Sequence, residues 1–525
     1  MSVLLFLSQI YICFIIIRRK SLLIETMQER VWKVVIFSGG LLSVYTGIDK
    51  GESIYGLLRL GVYLIAGVAF QQIRDKDRQR ILSSIPVLGV ILSVCSLFHD
   101  CILFRYWIAL PSGRLAGPFE YPNTMALFLL LGVIVAERLW KQGKRIIQFL
   151  LITGVIATGS RTVFVVLCFY LLYCFLRSHG KNKTFMILIA LIGLIIYITV
   201  TCGQNLYGFG RFMKINIHSS TLQGRLLYWE DALRMLIKHP LGLGYMGYFY
   251  LQQTVQAGVY SVRFVHNEWL QWLLDYGMLA GIGLVVYFIR QFKLKKMGAM
   301  QKELLSIIAV CSFFDFHLQF TSIVCIVLLL LPQGTVVCTG RQLLKWRWII
   351  VFGTVAATGL FVADTMAQYF AAQGNYQYAI KCNPLSAQYK QEYLLQSEDL
   401  RSAAEYADKL LRDNQYLYTA YLIKSNAAAQ EGNVDLFIEN RKQVLKLRKY
   451  KVKEYEDYFQ ILLSWYIRAY AEKNDEVMIQ CKRAMKEIPK MIMTVKKQTS
   501  VRAYRIQQKP DLNFNKEYEK IIVNL

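Results

Sequence analysis

The sequence is poor in charge and in proline. Only 18% of its 525 residues are Asp, Glu, Lys or Arg and 9 are proline, whereas 55% are hydrophobic. A soluble domain of this size carries more charge on its surface, so a water-soluble globule is excluded for most of the chain. The 11 cysteines contain no C-x-x-C pair, and several (Cys95, Cys168, Cys174, Cys325) lie inside apolar runs. They read as small hydrophobes, not as a disulfide framework or metal site. With no His/Cys cluster of metal-ligand spacing, no metal and no cofactor is expected. Acidic residues number 35 against 61 Lys and Arg, a net charge of +26. In a soluble protein that excess would suggest nucleic acid. Here the cations lie in short loops between apolar runs, the positive-inside pattern of a membrane protein, and no nucleic-acid partner is expected.

What is present is a series of apolar runs long enough to cross about 30 Å of hydrocarbon. They fall near 3–17, 32–48, 54–70, 81–103, 123–140, 146–158, 162–176, 184–202, 267–289, 304–316, 319–336 and 346–363. Basic clusters (Arg18 to Lys20; Arg74, Lys76, Arg78, Arg80; Arg138, Lys141, Lys144, Arg145; Arg177, Lys181, Lys183; Arg290, Lys293, Lys295, Lys296) mark one side as cytoplasmic. Met1 and Ser2 then lie outside, and no cleavable leader is expected because the start of the chain carries no cation. The stretch 304–331 reads as two short helices hinged at Phe314-Asp315-Phe316-His317. Two helices keep Arg341, Lys345 and Arg347 inside, put the tail outside, and set the Asp and His at a hairpin near the outer surface.

The fold class is therefore all-α: a polytopic helical membrane protein of about 12 crossings with a C-terminal helical domain. Residues 1–202 form the first set of membrane helices, 203–265 a long external loop, 266–364 the second set, and 365–525 a soluble tail. A loop of that length is functional or disordered, and Tyr228, Trp229, Phe249 and Tyr250 favour a folded one. In the tail, short amphipathic helices alternate with turns at Gly374-Asn375, Asn383-Pro384, Asn414 and Gly432-Asn433. Ala371-Ala-Gln-Gly-Asn375 recurs as Ala428-Ala-Gln-Glu-Gly-Asn433, and the irregular period suggests a degenerate, tetratricopeptide-like (TPR-like) α-solenoid.

Gly242-x-Gly244-x-x-Gly247 matches the dinucleotide-binding string. It lacks the preceding strand that such a site needs, so its glycines are read as shaping a turn before the next membrane helix. Four other segments place polar groups at the outer ends of apolar helices. These are Arg114 to Asn123, with Glu120 inside it and Asn123 as an N-cap after Pro122; Gly159-Ser160-Arg161-Thr162; Gly224-Arg225 to Trp229-Glu230; and Val265-His266-Asn267-Glu268-Trp269. Several arginines and one histidine, far apart in sequence, thus share one layer. Plainer readings stand beside this. Arg161 suits a lipid phosphate, Arg225 a solvated loop, His266 a hydrogen bond to Asn267 or Glu268, and Arg114 an ion pair with Glu120. From the residues alone, the layer is an anion site at the outer membrane surface.

These same residues resemble the O-antigen ligases and the related O-antigen polymerases. The resemblance runs from about Arg114 to Leu331 and is strongest over 220–281. Arg-x-x-Gly-x-x-x-x-Pro-Asn (Arg114 to Asn123), Ser160-Arg161, Arg225-x-x-x-Trp229, Pro240-x-Gly242-x-Gly244 and His266-Asn267 occur in the family's order. Members often follow the His-Asn pair, after nine residues, with Gly and then Gly, Thr or Tyr three further on. Here Gly277 fits and Ala280 departs, a change that touches helix packing more than chemistry. Phe314-Asp315-Phe316 resembles the polar break that many relatives show in a late membrane helix.

The resemblance implies an all-helical, glycosyltransferase C-like membrane enzyme that needs no metal. It would transfer or polymerise glycan from undecaprenyl pyrophosphate onto a hydroxyl of a glycan, lipid or protein acceptor, outside the bacterial cytoplasmic membrane. Arg161 and Arg225, with Arg114, would hold the pyrophosphate, since a guanidinium offers a planar fork to phosphate oxygens. His266 would be the base for the acceptor, because an imidazole titrates near neutrality. Asn267, Glu268, Glu120 and Trp229 would support them, and the TPR-like tail could recruit a protein partner. Two rivals predict other features. A flippase or transporter of the lipid-linked sugar would line the membrane midplane with charge and show an internal repeat. A membrane-anchored TPR scaffold would need a single helix as anchor.

Overall fold

The computed structural model describes residues 14, 16–109, 113–177, 220–293 and 297–525. The expected runs at 184–202 and over most of 3–17 lie outside these residues, as do 203–219 of the loop and Lys181, Lys183, Lys295 and Lys296. Among the described residues the chain is almost wholly helical. Its strands form two short antiparallel ribbons, β1 (Leu22–Ile24) with β4 (Val336–Cys338) and β2 (Ile108–Ala109) with β3 (Arg114–Leu115).

The membrane half contains α1 (Met27–Tyr45), α2 (Lys50–Phe70), α3 (Asp75–Cys95), α4 (Pro122–Leu139), α5 (Lys144–Ala157) and α6 (Arg161–Arg177). After the loop helices α7 (Ser220–Lys238) and α8 (Gly247–Val255) come α9 (Glu268–Lys293), α10 (Ala299–Phe313), α11 (Thr321–Leu330) and α12 (Gly340–Ala372). Among the described residues five stretches are long and apolar enough to cross a membrane: Lys50–Phe70, Asp75–Phe98, Pro122–Leu139, Glu268–Lys293 and Gly340–Ala372. The other described helices of the expected crossings are shorter or more polar. Helix α4 is apolar all round and therefore central: every residue from Thr124 to Ala136 is buried. Helices α3, α5 and α9 turn Leu88, Ile91, Phe149, Ile282, Val285 and Ile289 outward, a surface that suits lipid and not water. Helices α1 and α9 approach closely through Gly39, where a Cβ would stand 2.6 Å from the Ala280 amide nitrogen. The departure at Ala280 thus falls on a helix contact.

The helix ends sort by charge. Arg347 donates to the Arg19 carbonyl at 2.7 Å, Arg138 pairs with Glu303 at 2.9 Å, and Arg78 donates to the Leu331 carbonyl. Lys144 and Arg145 pair with Glu137. These contacts gather the basic clusters at one end of the bundle. The expected pair of short helices around Asp315 is present as α10 and α11, and the break between them lies at the opposite end.

Helix α12 runs unbroken past residue 364, where the composition turns polar, and the tail begins after Ala372. Eight helices follow: Tyr376–Cys382, Ala387–Leu395, Leu400–Asp413, Tyr418–Gln430, Val434–Leu447, Val452–Glu472, Asp475–Gln498 and Lys516–Asn524. Both copies of the Ala-rich motif end a helix on a left-handed glycine, Gly374 or Gly432, and start the next with Asn375 or Asn433 as N-cap. The tail packs on the non-basic end of the bundle. There Asn414 donates to Asp49 at 3.0 Å and the Ala387 amide donates to Glu52 at 3.1 Å.

Candidate active site

A cleft of about 240 Å³ opens at the same non-basic end. Arg114, Tyr121, Asn123, Ser160, Arg161, Thr221, Arg225, Tyr228 and His266 are among its lining residues. The three arginines and the histidine expected to share a layer do so, and they line one cavity.

Local structure sets each one. Arg114 lies on β3, where its Nε donates to the Thr158 carbonyl at 2.7 Å and its Nη2 to Asn123 Oδ1 at 2.8 Å. Glu120, the expected partner of Arg114, is instead exposed at a left-handed position (φ 52°), and its carboxylate makes no hydrogen bond or ion pair with the described residues. Asn123 is not the N-cap of α4 either. Pro122 takes the first helical position and Tyr121 the cap, which frees Asn123 to join the site. Arg161 opens α6 and reaches Thr221 Oγ1 at 3.4 Å. Arg225 lies one turn into α7.

His266 has a backbone φ of 57°, a left-handed conformation that costs a non-glycine residue about 1 kcal/mol or more. Its neighbour pays this cost in hydrogen bonds. Trp229 Nε1 donates to the Val265 carbonyl at 3.2 Å, and the Val265 amide donates to Gln271 Oε1 at 2.9 Å. Asn267 caps α9, accepting from the Leu270 amide at 3.1 Å. Glu268 turns away from His266 and accepts from the Leu318 amide and from Gln319 Nε2, while Arg59 grips Gln319 through both its side chain and its carbonyl. Asn267 and Glu268 therefore anchor the helix mouth and do not orient the imidazole.

The residue that does is Asp315, in the break between α10 and α11. Its Oδ1 stands 3.0 Å from His266 Nδ1 and accepts from the Tyr121 hydroxyl at 2.8 Å. Its Oδ2 accepts from Asn123 Nδ2 at 2.6 Å and from Arg225 Nη2 at 3.2 Å. Burial alone would raise the Asp315 carboxyl, but the hydrogen bond from His266, with His266 and Arg225 close by, holds it well below the usual carboxylate range. Burial, then the Asp315 charge, pushes the Tyr121 phenol far up, so it remains a donor. An ionised carboxylate accepts the proton on Nδ1 of His266, so Nε2 is the ring nitrogen turned away from Asp315. The adjacent His317 is fully buried against Thr124 Oγ1 at 3.0 Å, and burial lowers it to about 4.

Sequence reasoning brought His266, Arg161, Arg225 and Arg114 together and read Asp315 only as a polar break. It passed over Tyr121 and Thr221. The available signal was a carboxylate at the end of an apolar helix, which needs a cationic partner. The Gly242 and Gly244 string builds no phosphate cradle. Both glycines have positive φ, and their Cβ positions would fall 2.7 Å from the Gly277 amide and 1.9 Å from Ser53 Oγ. Gly242 brings the segment after α7 hard against the kink at Gly277 in α9, and Gly244 brings it against Ser53 at the start of α2.

Residues 146–286 match a family model described as O-antigen ligase. No curated protein and no solved structure matches the chain. The matched segment holds Arg161, Arg225 and His266, while Arg114, Tyr121, Asn123 and Asp315 reach the same cleft from outside it. The match and the apolar helices together support a multi-pass membrane protein with a glycan-transfer role in the cell envelope.

Proposed function

We propose that the protein transfers or polymerises glycan from undecaprenyl pyrophosphate onto an acceptor hydroxyl at the outer face of the bacterial cytoplasmic membrane. The observation that carries this reading is the shared carboxylate of Asp315, which holds an imidazole and a guanidinium at one cleft 3.0 and 3.2 Å away.

In this reading Arg161, Arg225 and Arg114 bind the pyrophosphate. Their charge-assisted hydrogen bonds are worth about 1.5–3 kcal/mol each and strengthen as the leaving group gains charge. His266 Nε2 takes the proton of the acceptor hydroxyl as that oxygen attacks the anomeric carbon and the bond to the pyrophosphate oxygen breaks. The proton leaves His266 to solvent once the products part. Asp315 stabilises the imidazolium in between. At about 240 Å³ the cleft is smaller than the ~300–1,000 Å³ of sites that enclose a whole small molecule, which suits a headgroup whose lipid and distal sugars lie outside. The tail, read as a TPR-like solenoid, stands on the same side as the cleft and offers a platform for a protein partner.

The test is transfer by purified, folded His266→Gln protein with donor and acceptor in excess. A positioned base contributes ~10²–10⁴ in rate, so turnover should fall by that factor while donor binding survives. Activity within a few-fold of the wild type would reduce His266 to a structural residue and remove the proposed mechanism.

A further inference from the structure

The C-terminal domain reaches the helix that carries Arg225. A single turn, Val501–Arg505, lies along α7: Arg502 Nη2 pairs with Glu230 at 2.9 Å, and its Nη1 donates to Gln223 Oε1 at 3.0 Å. Around this pair the Ser500 amide donates to the Ala257 carbonyl at 2.8 Å, and Lys449 Nζ donates to the Thr254 carbonyl at 2.9 Å. Leu227, Ala257, Tyr260, Ala503 and Ile506 form a buried apolar cluster beneath it. The fit is close at Gly258, where an added Cβ would stand 2.7 Å from the Ala503 Cβ.

Helix geometry gives this contact a direction. At about 100° per residue, Gln223, Leu227 and Glu230 fall within about 60° of one another, and Arg225 lies about 200° from Gln223. The tail therefore grips the back of α7. The front carries Arg225 against Asp315 and Trp229 against Phe313 and Phe314, with ring centroids 5.6 and 6.3 Å apart.

We propose that Arg502 is a positioning residue. It holds the back of α7 so that the front presents the Arg225 guanidinium to the cleft, which makes the C-terminal domain part of the anion site and not only a platform for partners. This rests on the reading of the cleft as a pyrophosphate site. The arrangement would let anything that shifts the tail change anion affinity without touching the cleft.

The test uses the full-length protein, purified in detergent, with inorganic pyrophosphate as the probe. Arg502→Glu places two carboxylates together and should speed amide hydrogen exchange across 220–238. It should also weaken pyrophosphate about tenfold, on the scale by which small misplacements degrade a site. The charge-swapped double variant Arg502→Glu/Glu230→Arg should restore both to within about threefold, an outcome that generic damage to the fold would not give. Unchanged exchange in Arg502→Glu, or faster exchange with wild-type pyrophosphate affinity, overturns the proposal. Arg225→Ala serves as the reference. If it too binds pyrophosphate as the wild type does, the anion-site reading falls and takes the proposal with it. If it loses binding and Arg502→Glu does not, the positioning role alone falls.

Discussion

Asp315 and His266, 49 residues apart, meet at 3.0 Å through Nδ1, the ring nitrogen that faces away from any substrate taken up at Nε2. Replacing the carboxylate therefore tests the imidazole without touching it. Asp315→Asn keeps the shape but can no longer hold the proton on Nδ1 or stabilise an imidazolium. Turnover should fall by about 10²–10⁴, with the protein still folded and still binding pyrophosphate. Turnover near the wild-type value, measured at saturating donor, would show that Asp315 only satisfies Tyr121, Asn123 and Arg225.

Charge and geometry can be separated at Arg225. Its Nη2 meets Asp315 and the residue lines the cleft, so in the proposed site the planar fork would serve Asp315 and the pyrophosphate at once. A lysine would keep the charge but could not span both. Arg225→Lys should be impaired nearly as much as Arg225→Ala, and Arg161→Lys nearly as much as Arg161→Ala. Glycan transfer by the lysine variants at near wild-type rates would mean that these residues supply only general attraction for anions.

The all-helical, apolar character of the membrane half was legible because hydropathy reports directly on the medium around a helix, whereas about 12 crossings were expected and five described stretches are long and apolar enough. The hinge of 304–331 follows from the alternation of basic clusters, which one helix would break at Arg341, Lys345 and Arg347, and from Asp315 and His317, which are better tolerated at a hairpin than at mid-membrane; α10 and α11 do part there. Partner choice was less legible. His266 could equally have turned to Asn267 or Glu268, its neighbours in sequence, and only the packing of α9 against the break brings Asp315 closer. The same holds for Asn123, where a local rule named a cap but Pro122 moved the helix start and redirected the side chain. The docking of Val501–Arg505 on α7 joins Arg502 to Gln223, 279 residues away, and no local pattern encodes it.

His317 should give the folded protein a pH dependence of defined sign. Burial, opposed by the Asp315 charge and reinforced by Arg225 and His266, lowers this imidazole to about 4, against an ordinary value of ~6.5. Between those values the unfolded chain binds a proton that the folded chain does not, so stability is complete above about pH 6.5 and declines as the pH falls toward 4. The effect is on the order of 1–3 kcal/mol. His317→Gln keeps a polar partner for Thr124 and removes the titration. Its melting temperature in detergent should therefore fall less steeply than that of the wild type across that window. Parallel curves for the two proteins would assign the acid sensitivity elsewhere.

The side of the membrane occupied by the cleft can be read by chemistry. The basic clusters gather at one end of the bundle, and the cleft, the start of α7 and the tail gather at the other, joined by Asp49 to Asn414 and Glu230 to Arg502. If cations mark the cytoplasm, the second end is external. Single cysteines introduced at Ser220, at the start of α7, and at Ala471 in the tail are both exposed, and Gln142 is exposed between α4 and α5 at the basic end. In a background without native cysteines, an impermeant maleimide should label positions 220 and 471 in intact cells and position 142 only after lysis. Labelling of 142 alone in intact cells would invert the whole arrangement, placing the arginine-lined cleft in the cytoplasm. Transfer onto an external acceptor would then be impossible. Labelling of 220 without 471 would instead separate the tail from the cleft and contradict the ion pair between Arg502 and Glu230.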